Sequence, residues 1–188
     1  MNIIDCINSR RSGRDYTAEE ISNEKIKELL TLGTKAPTGS YGQPWGFVVI
    51  QNKEEIQNLS EATKKYILEN FDQYPYLQQY QAWLTNSTYS VFNHASCLII
   101  IYGDTNSHWY IYDCSLAAGN IMLAAHSMNI GTCWIGFAEH TFNTAEFKKK
   151  YNVPEHYELV CPMSVGYMKT SLSAPKRKDP VIFNSQDS

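Results

Sequence analysis

Apolar and polar positions along this chain change period several times, and each change marks an element. Ile26, Leu29 and Leu30 recur at helical spacing. Ser22 precedes them as an N-cap, with Glu24 in the first turn, and the run must stop before Pro37, so a helix is predicted to about Lys35. Residues 2–9 predict a shorter helix carrying Ile3, Ile4 and Ile7 on one face. Asn52-Lys53-Glu54-Glu55 reads as a capping box with Glu55 reaching back; Ile56, Leu59 and Ala62 then form an inward stripe. Residues 109–128 are apolar nearly all round, which predicts a helix buried by the domain, by a second copy, or by both. Its Ala117, Ala118 and Gly119 would admit another helix closely, and Gly131 suits its C-terminal cap. Asn143-Thr144-Ala145-Glu146 reads as a second capping box, opening a helix through Lys150.

Strands are predicted near 45–51, 96–102, 133–135 and 157–167. Residues 96–102 are continuously apolar rather than alternating, as in a strand covered on both faces. Pro162 interrupts the last strand and suggests an edge or a bulge. The fold class expected is α+β, with a central, mostly antiparallel sheet of four or five strands between helical layers. At 188 residues, without a repeat or a low-complexity linker, the chain suits one domain.

Composition narrows the function. With 43% hydrophobic and 19% charged residues the chain is globular, and a net charge of −3 argues against a general nucleic-acid binder. Yet Arg10, Arg11 and Arg14 cluster near one end and Lys176, Arg177 and Lys178 near the other, a pattern suited to a small anion. Five cysteines, at 6, 97, 114, 133 and 161, have no Cys-x-x-Cys spacing and read as reduced thiols in a cytoplasmic protein. The N-terminus lacks a signal-peptide pattern, and the strongest apolar run, 97–101, is too short to cross a membrane. The five histidines are dispersed, so no metal site is expected. There is no Gly-x-Ser-x-Gly elbow and no Gly-x-Gly-x-x-Gly fingerprint.

Three stretches carry candidate chemistry. The loop from Ala36 to Trp45 holds two prolines and two glycines, and Gly39 and Gly42 would let backbone amides approach a ligand. It is not a P-loop, and on its own it also reads as a plain helix-to-strand connection. Arg10-Arg11-Ser12-Gly13-Arg14 supplies paired donors for phosphate, or forms a solvated basic turn. Residues 66–92 carry Tyr66, Phe71, Tyr74, Tyr76, Tyr80, Trp83, Tyr89 and Phe92, dense enough for a lid over a flat ligand, or for an irregular helical excursion.

Together with Cys133-Trp134-Ile135-Gly136-Phe137 and Pro175-Lys176-Arg177-Lys178, the first two stretches resemble the FMN-dependent nitroreductase family, in order and over most of the chain. The resemblance implies a three-layer nitroreductase-like fold and an intertwined homodimer whose tail, 168–188, reaches the partner. It implies that Arg10 and Ser12, with Arg11 in the same segment, grip the phosphate and ribityl region of FMN, and that Arg14 faces the pyrimidine edge. Pro37, Thr38, Gly39, Ser40 and Gln43 would approach the flavin of the partner subunit. Trp134, Ile135 and Gly136 would form a backbone wall near flavin N5, although many relatives carry an acidic residue where Ile135 stands. Arg177, and more weakly Lys176, match the phosphate-binding tail. No side chain would be catalytic, since flavin N5 carries the chemistry. The implied activity is FMN-dependent reduction of nitroaromatic, quinone or similar small electron-poor acceptors by NADH or NADPH in two half-reactions, with residues 66–92 shaping the acceptor pocket. A dehydrogenase or dehalogenase on the same fold and a non-enzymatic flavin carrier are the alternatives.

Overall fold

The computed structural model describes residues 1–170 and 172–183. Four strands form one antiparallel sheet in the order β1-β2-β4-β3: β1 Trp45–Ile50, β2 Cys97–Asp104, β3 Ile130–Trp134 and β4 Tyr157–Tyr167. Seven α-helices surround it among the described residues: α1 Ile3–Ser9, α2 Asn23–Gly33, α3 Lys53–Glu69, α4 Gln81–Leu84, α5 Tyr110–Ser127, α6 Glu139–Phe142 and α7 Ala145–Lys150.

The continuous apolar run of β2 explains the layering. Cys97, Ile99 and Ile101 enter one core with Ile26 and Leu29 of α2 and Cys114, Ala118 and Ile121 of α5. Leu98, Ile100 and Tyr102 enter a second core with Ile56 of α3 and Phe142 and Phe147 beyond β3. Side chains alternate across a strand, so a strand covered on both faces is apolar at every position. Each such aliphatic side chain contributes about 1.5–3 kcal/mol on burial. Burial also pushes the Cys97 and Cys114 thiols up to about 12, so both are protonated and inert at neutral pH.

Several local expectations hold and others are corrected. Ser22 and Asn52 cap α2 and α3 through the amides of Lys25 and Glu55. Glu55 does not reach back, because its carboxylate accepts from Lys150 Nζ at 2.5 Å and the Tyr151 hydroxyl at 2.6 Å. In the second capping box the cap is Thr144 rather than Asn143, whose side chain instead holds the Leu159 amide and Glu158. Gly131 does not end α5: Asn129 takes the left-handed turn at φ 60, and Gly131 lies in β3, where any Cβ would collide with Met168. Ala117 and Ala118 face inward, whereas Gly119 has open space before it.

Pro162 sits in β4, a central strand rather than an edge. The register slips between Ile101 and Tyr102, leaving Val160 as a bulge. The Pro162 carbonyl accepts from Ile135, one residue past the end of β3, so the missing N–H falls where that ladder has already ended.

Residues 66–92 form an excursion with its own small core of Ile67, Leu77 and Leu84. The buried Lys64 ammonium anchors its base, donating to the Asn86 carbonyl at 3.0 Å and the Tyr89 carbonyl at 3.2 Å. The helix α1 forms as expected, but only Cys6 is buried; Ile3, Ile4 and Ile7 are 60%, 62% and 54% exposed.

Candidate active site

The end of β3 is where the site is built. Ser12 bridges Thr132 in parallel, and the Gly13 amide donates to the Thr132 carbonyl at 2.9 Å. Tyr16, fully buried, locks this segment by donating to the Gly13 carbonyl at 2.8 Å and pairing with the Ser164 hydroxyl at 3.1 Å. The basic segment is thereby held along the edge of the sheet. Arg10, Ser12 and Arg14 all surround Cys133: burial pushes its thiol up, against Arg14, a hydrogen bond with Ser12, and Arg10, which pull it down.

Beyond Trp134 the chain turns through Gly136–Ala138 into α6, and a cavity of about 560 Å³ opens there. Arg14 and residues 133–137 form one wall. The excursion supplies the other, with Tyr76, Leu77, Tyr80, Trp83 and Tyr89. Tyr80 meets Phe137 edge-on at 5.1 Å between ring centroids, so the two walls close on each other at one end. His140, also in the lining, stacks on Tyr74 at 3.9 Å. Glu139 and Asn93 complete the polar lining.

Two features suit a flat cofactor here. A Cβ on Gly136 would meet nothing within 4 Å, so the backbone of this wall is open to close approach. Trp134 ends a buried strand yet is 42% exposed, as expected of a ring awaiting a ligand or a partner. The donors match as well: a guanidinium at the cavity and a second, with a hydroxyl, one turn of chain away.

The other expected residues lie elsewhere in the protomer. Arg11 turns away, donating to the Asn8 and Arg10 carbonyls and lining a separate hollow of about 300 Å³. The loop carrying Pro37, Thr38, Gly39, Ser40 and Gln43 packs on the start of α5, where the Gly39 amide donates to both oxygens of buried Asp113, at 3.1 and 3.2 Å. A Cβ on Gly39 would collide with Trp109, and Ser40, Tyr41 and Gln43 all hold positive φ, of 51, 57 and 45. The basic segment instead meets the far end of α5, through Ser9 and His126 at 2.8 Å. An 18-residue helix separates the two ends by about 27 Å, and β1 and β3 are opposite edges of the sheet. Loop and cavity therefore do not meet within one chain. Lys176 and Arg177 are exposed on a tail without helix or strand; Ser171 and residues 184–188 of that tail lie outside the described residues.

The sequence reading left Asn93, Glu139 and His140 out of the site, and named Val91, Cys133 and Phe137 only within longer stretches. No spacing rule joins residue 91 to residue 140; only the fold of the excursion does. The exposed Trp134 among buried neighbours is a signal that burial, not sequence, reveals.

The comparisons with known proteins agree with this geometry. A family model described as "Nitroreductase family" matches residues 7–167. A nitroreductase with bound FMN from Bacteroides fragilis NCTC 9343 superposes with a TM-score of 0.85 at 25% identity, covering 99% of this chain and 100% of that one. A protein of Archaeoglobus fulgidus whose name contains the words "NADH dehydrogenase/NAD(P)H nitroreductase" is 29% identical over 168 residues, 87% of this chain and 83% of its own. An iodotyrosine deiodinase bound to FMN and 3-iodo-L-tyrosine, at 21% identity and a TM-score of 0.76 over 98% of this chain and 100% of its own, shares the fold. With its matched span running from the first helix to the last strand of the sheet, the chain belongs to the nitroreductase family.

Proposed function

We propose that the protein is an FMN-dependent oxidoreductase that uses NADH or NADPH to reduce small electron-poor aromatic or quinone acceptors, acting as a homodimer. The observation that carries this reading is the cavity itself: a guanidinium, an unobstructed backbone wall at Gly136 and an aromatic wall face one space. When bound, FMN would take two electrons from the nicotinamide and give them to the acceptor. The chain's part is to bind, orient and exclude water. Arg14 would neutralise charge at the pyrimidine edge, and a fixed cation there favours the reduced form. Arg10 and Ser12 would hold the phosphate and ribityl chain, with Arg177 and Lys176 from the tail. Tyr80, Trp83 and Phe137 would keep the acceptor flat and shielded.

The dimer is supported by an unpartnered apolar surface. Besides the α1 isoleucines, Ile111, Tyr112 and Leu116 of α5 are 51%, 64% and 50% exposed. Such a face on adjoining helices marks an interface. A second copy seated there would bring the loop 37–43 to the partner's cofactor, which explains a strained loop that serves nothing in its own protomer. The test is direct: purified protein is incubated with FMN, desalted and mixed with NADH or NADPH and a quinone. Yellow protein with steady nicotinamide oxidation is expected. Protein that stays colourless overturns the reading; yellow protein that oxidises no nicotinamide leaves the flavin carrier.

A further inference from the structure

We propose that the acceptor side of the cavity selects by charge, favouring cationic over anionic aromatic acceptors, and that Glu139 sets this preference. The inference rests on the cavity being the acceptor site. Its lining carries two full charges, Arg14 and Glu139. Arg14 lies on the wall assigned to the cofactor and would be engaged by it. That leaves Glu139, solvent-exposed at the start of α6, as the charge this lining offers an acceptor. Among the described residues no cationic side chain lies within ion-pair distance of its carboxylate, unlike Glu55, Glu61 and Glu158, each of which has a lysine. The side chain is exposed to solvent but uncommitted.

The opposite wall reinforces the preference. Tyr76, Tyr80, Trp83 and Tyr89 present ring faces and hydroxyls and no ammonium or guanidinium. Tyr80 and Trp83 tilt toward each other at 5.4 Å, and Trp83 toward Tyr89 at 6.1 Å, so three rings line one side of the entrance. Aromatic faces attract cations through the ring quadrupole and offer nothing to a carboxylate. An anionic acceptor would find only the neutral O–H and N–H donors of these side chains and would meet Glu139 besides. A cationic one gains both. For a solvent-exposed carboxylate the two effects together correspond to about a tenfold preference, falling as salt screens it.

The test uses three nitroaromatics of one size with the FMN-loaded protein: 4-nitrobenzoate, 4-nitrobenzamide and 4-nitrobenzyltrimethylammonium. The expected order of kcat/KM at low salt is cation, neutral, anion, with about tenfold between the ends. Glu139→Gln should compress that ratio several-fold, whereas Glu28→Gln, which changes net charge equally on α2, should not. An order in which the anion equals or leads the cation, or a ratio that survives Glu139→Gln, overturns the proposal. If none of the three is turned over, the reductase reading fails separately; binding of the same probes, read by tryptophan quenching, then still decides the charge preference.

Discussion

The acceptor cavity and the α1–α5 face both keep large side chains half exposed, Tyr76 at 59% and Trp83 at 55% in the first, but they differ in what those side chains meet. In the cavity, aromatic residues from the excursion find partners within the chain: Tyr80 on Phe137, and Tyr74 on His140. On the α1–α5 face, Ile7, Tyr112 and Leu116 stand half exposed or more, and the aromatic pair there is Tyr112 tilted toward Trp109 at 5.9 Å. The difference separates two tasks. On the proposed reading, what meets the acceptor is finished by one chain, and what grips the cofactor needs two. The strained loop at 40–43 belongs to the second group, because its conformation is held by Asp113 rather than by anything it binds in its own protomer.

Breaking the unfinished face should have the largest effect. Charge introduced there, as Ile7→Glu with Leu116→Glu, should yield a monomer that also loses FMN, since both cofactor sites need the partner. A dimer by light scattering, or a monomer that keeps its flavin, would erase the distinction between the regions. Next in size is Arg14→Ala, expected to weaken FMN binding about ten- to a hundredfold, the worth of a lost charge-assisted hydrogen bond, with the melting temperature of the flavin-free protein unchanged. Fluorescence titration with FMN checks it. Asp113→Ala leaves the Gly39 amide without its acceptor and should cost about 1–3 kcal/mol of stability, seen in a denaturant titration, together with weaker FMN binding. Stability loss with full FMN affinity would mean that the loop serves the fold alone.

The smallest effect concerns His126, where the end of α5 meets the end of α1. Burial, Arg10 and Arg11 hold the His126 imidazole below its ordinary value. The unfolded chain therefore takes up the proton first as pH falls below about 6.5, and stability is lost from there down to the depressed folded value. His126→Gln should flatten that part of the melting-temperature profile between pH 7.5 and 5.

Much of the architecture was legible in residue periodicity. The run 97–101 demanded a strand covered on both sides, and the all-round apolar stretch after Trp109 demanded a helix buried by the domain, by a second copy, or by both; both readings follow from local pattern alone. The misreadings were tertiary. Gly131 has the type of a helix cap, but its place is decided by Met168 crowding β3, which no local rule contains. Glu55 follows the capping-box spacing, yet Lys150 and Tyr151 outcompete its own helix terminus. Pro162 suggested an edge or a bulge; β4 proves central, and the bulge lies two residues away at Val160, so of the two alternatives only the edge fails. The site divides likewise: Arg14 and residues 134–136 were visible as short motifs, while Tyr76, Tyr80 and Trp83 face them only because the excursion folds back over the end of β3.

The central claim is that cofactor binding is shared between two copies of the chain. Sedimentation velocity followed at the flavin absorbance band tests it most directly. The account predicts that the flavin signal moves with a species of twice the chain mass, at one flavin per chain, and that no flavin travels at the mass of a single chain. Flavin sedimenting with the lone protomer, or remaining free beside a colourless dimer, would contradict it.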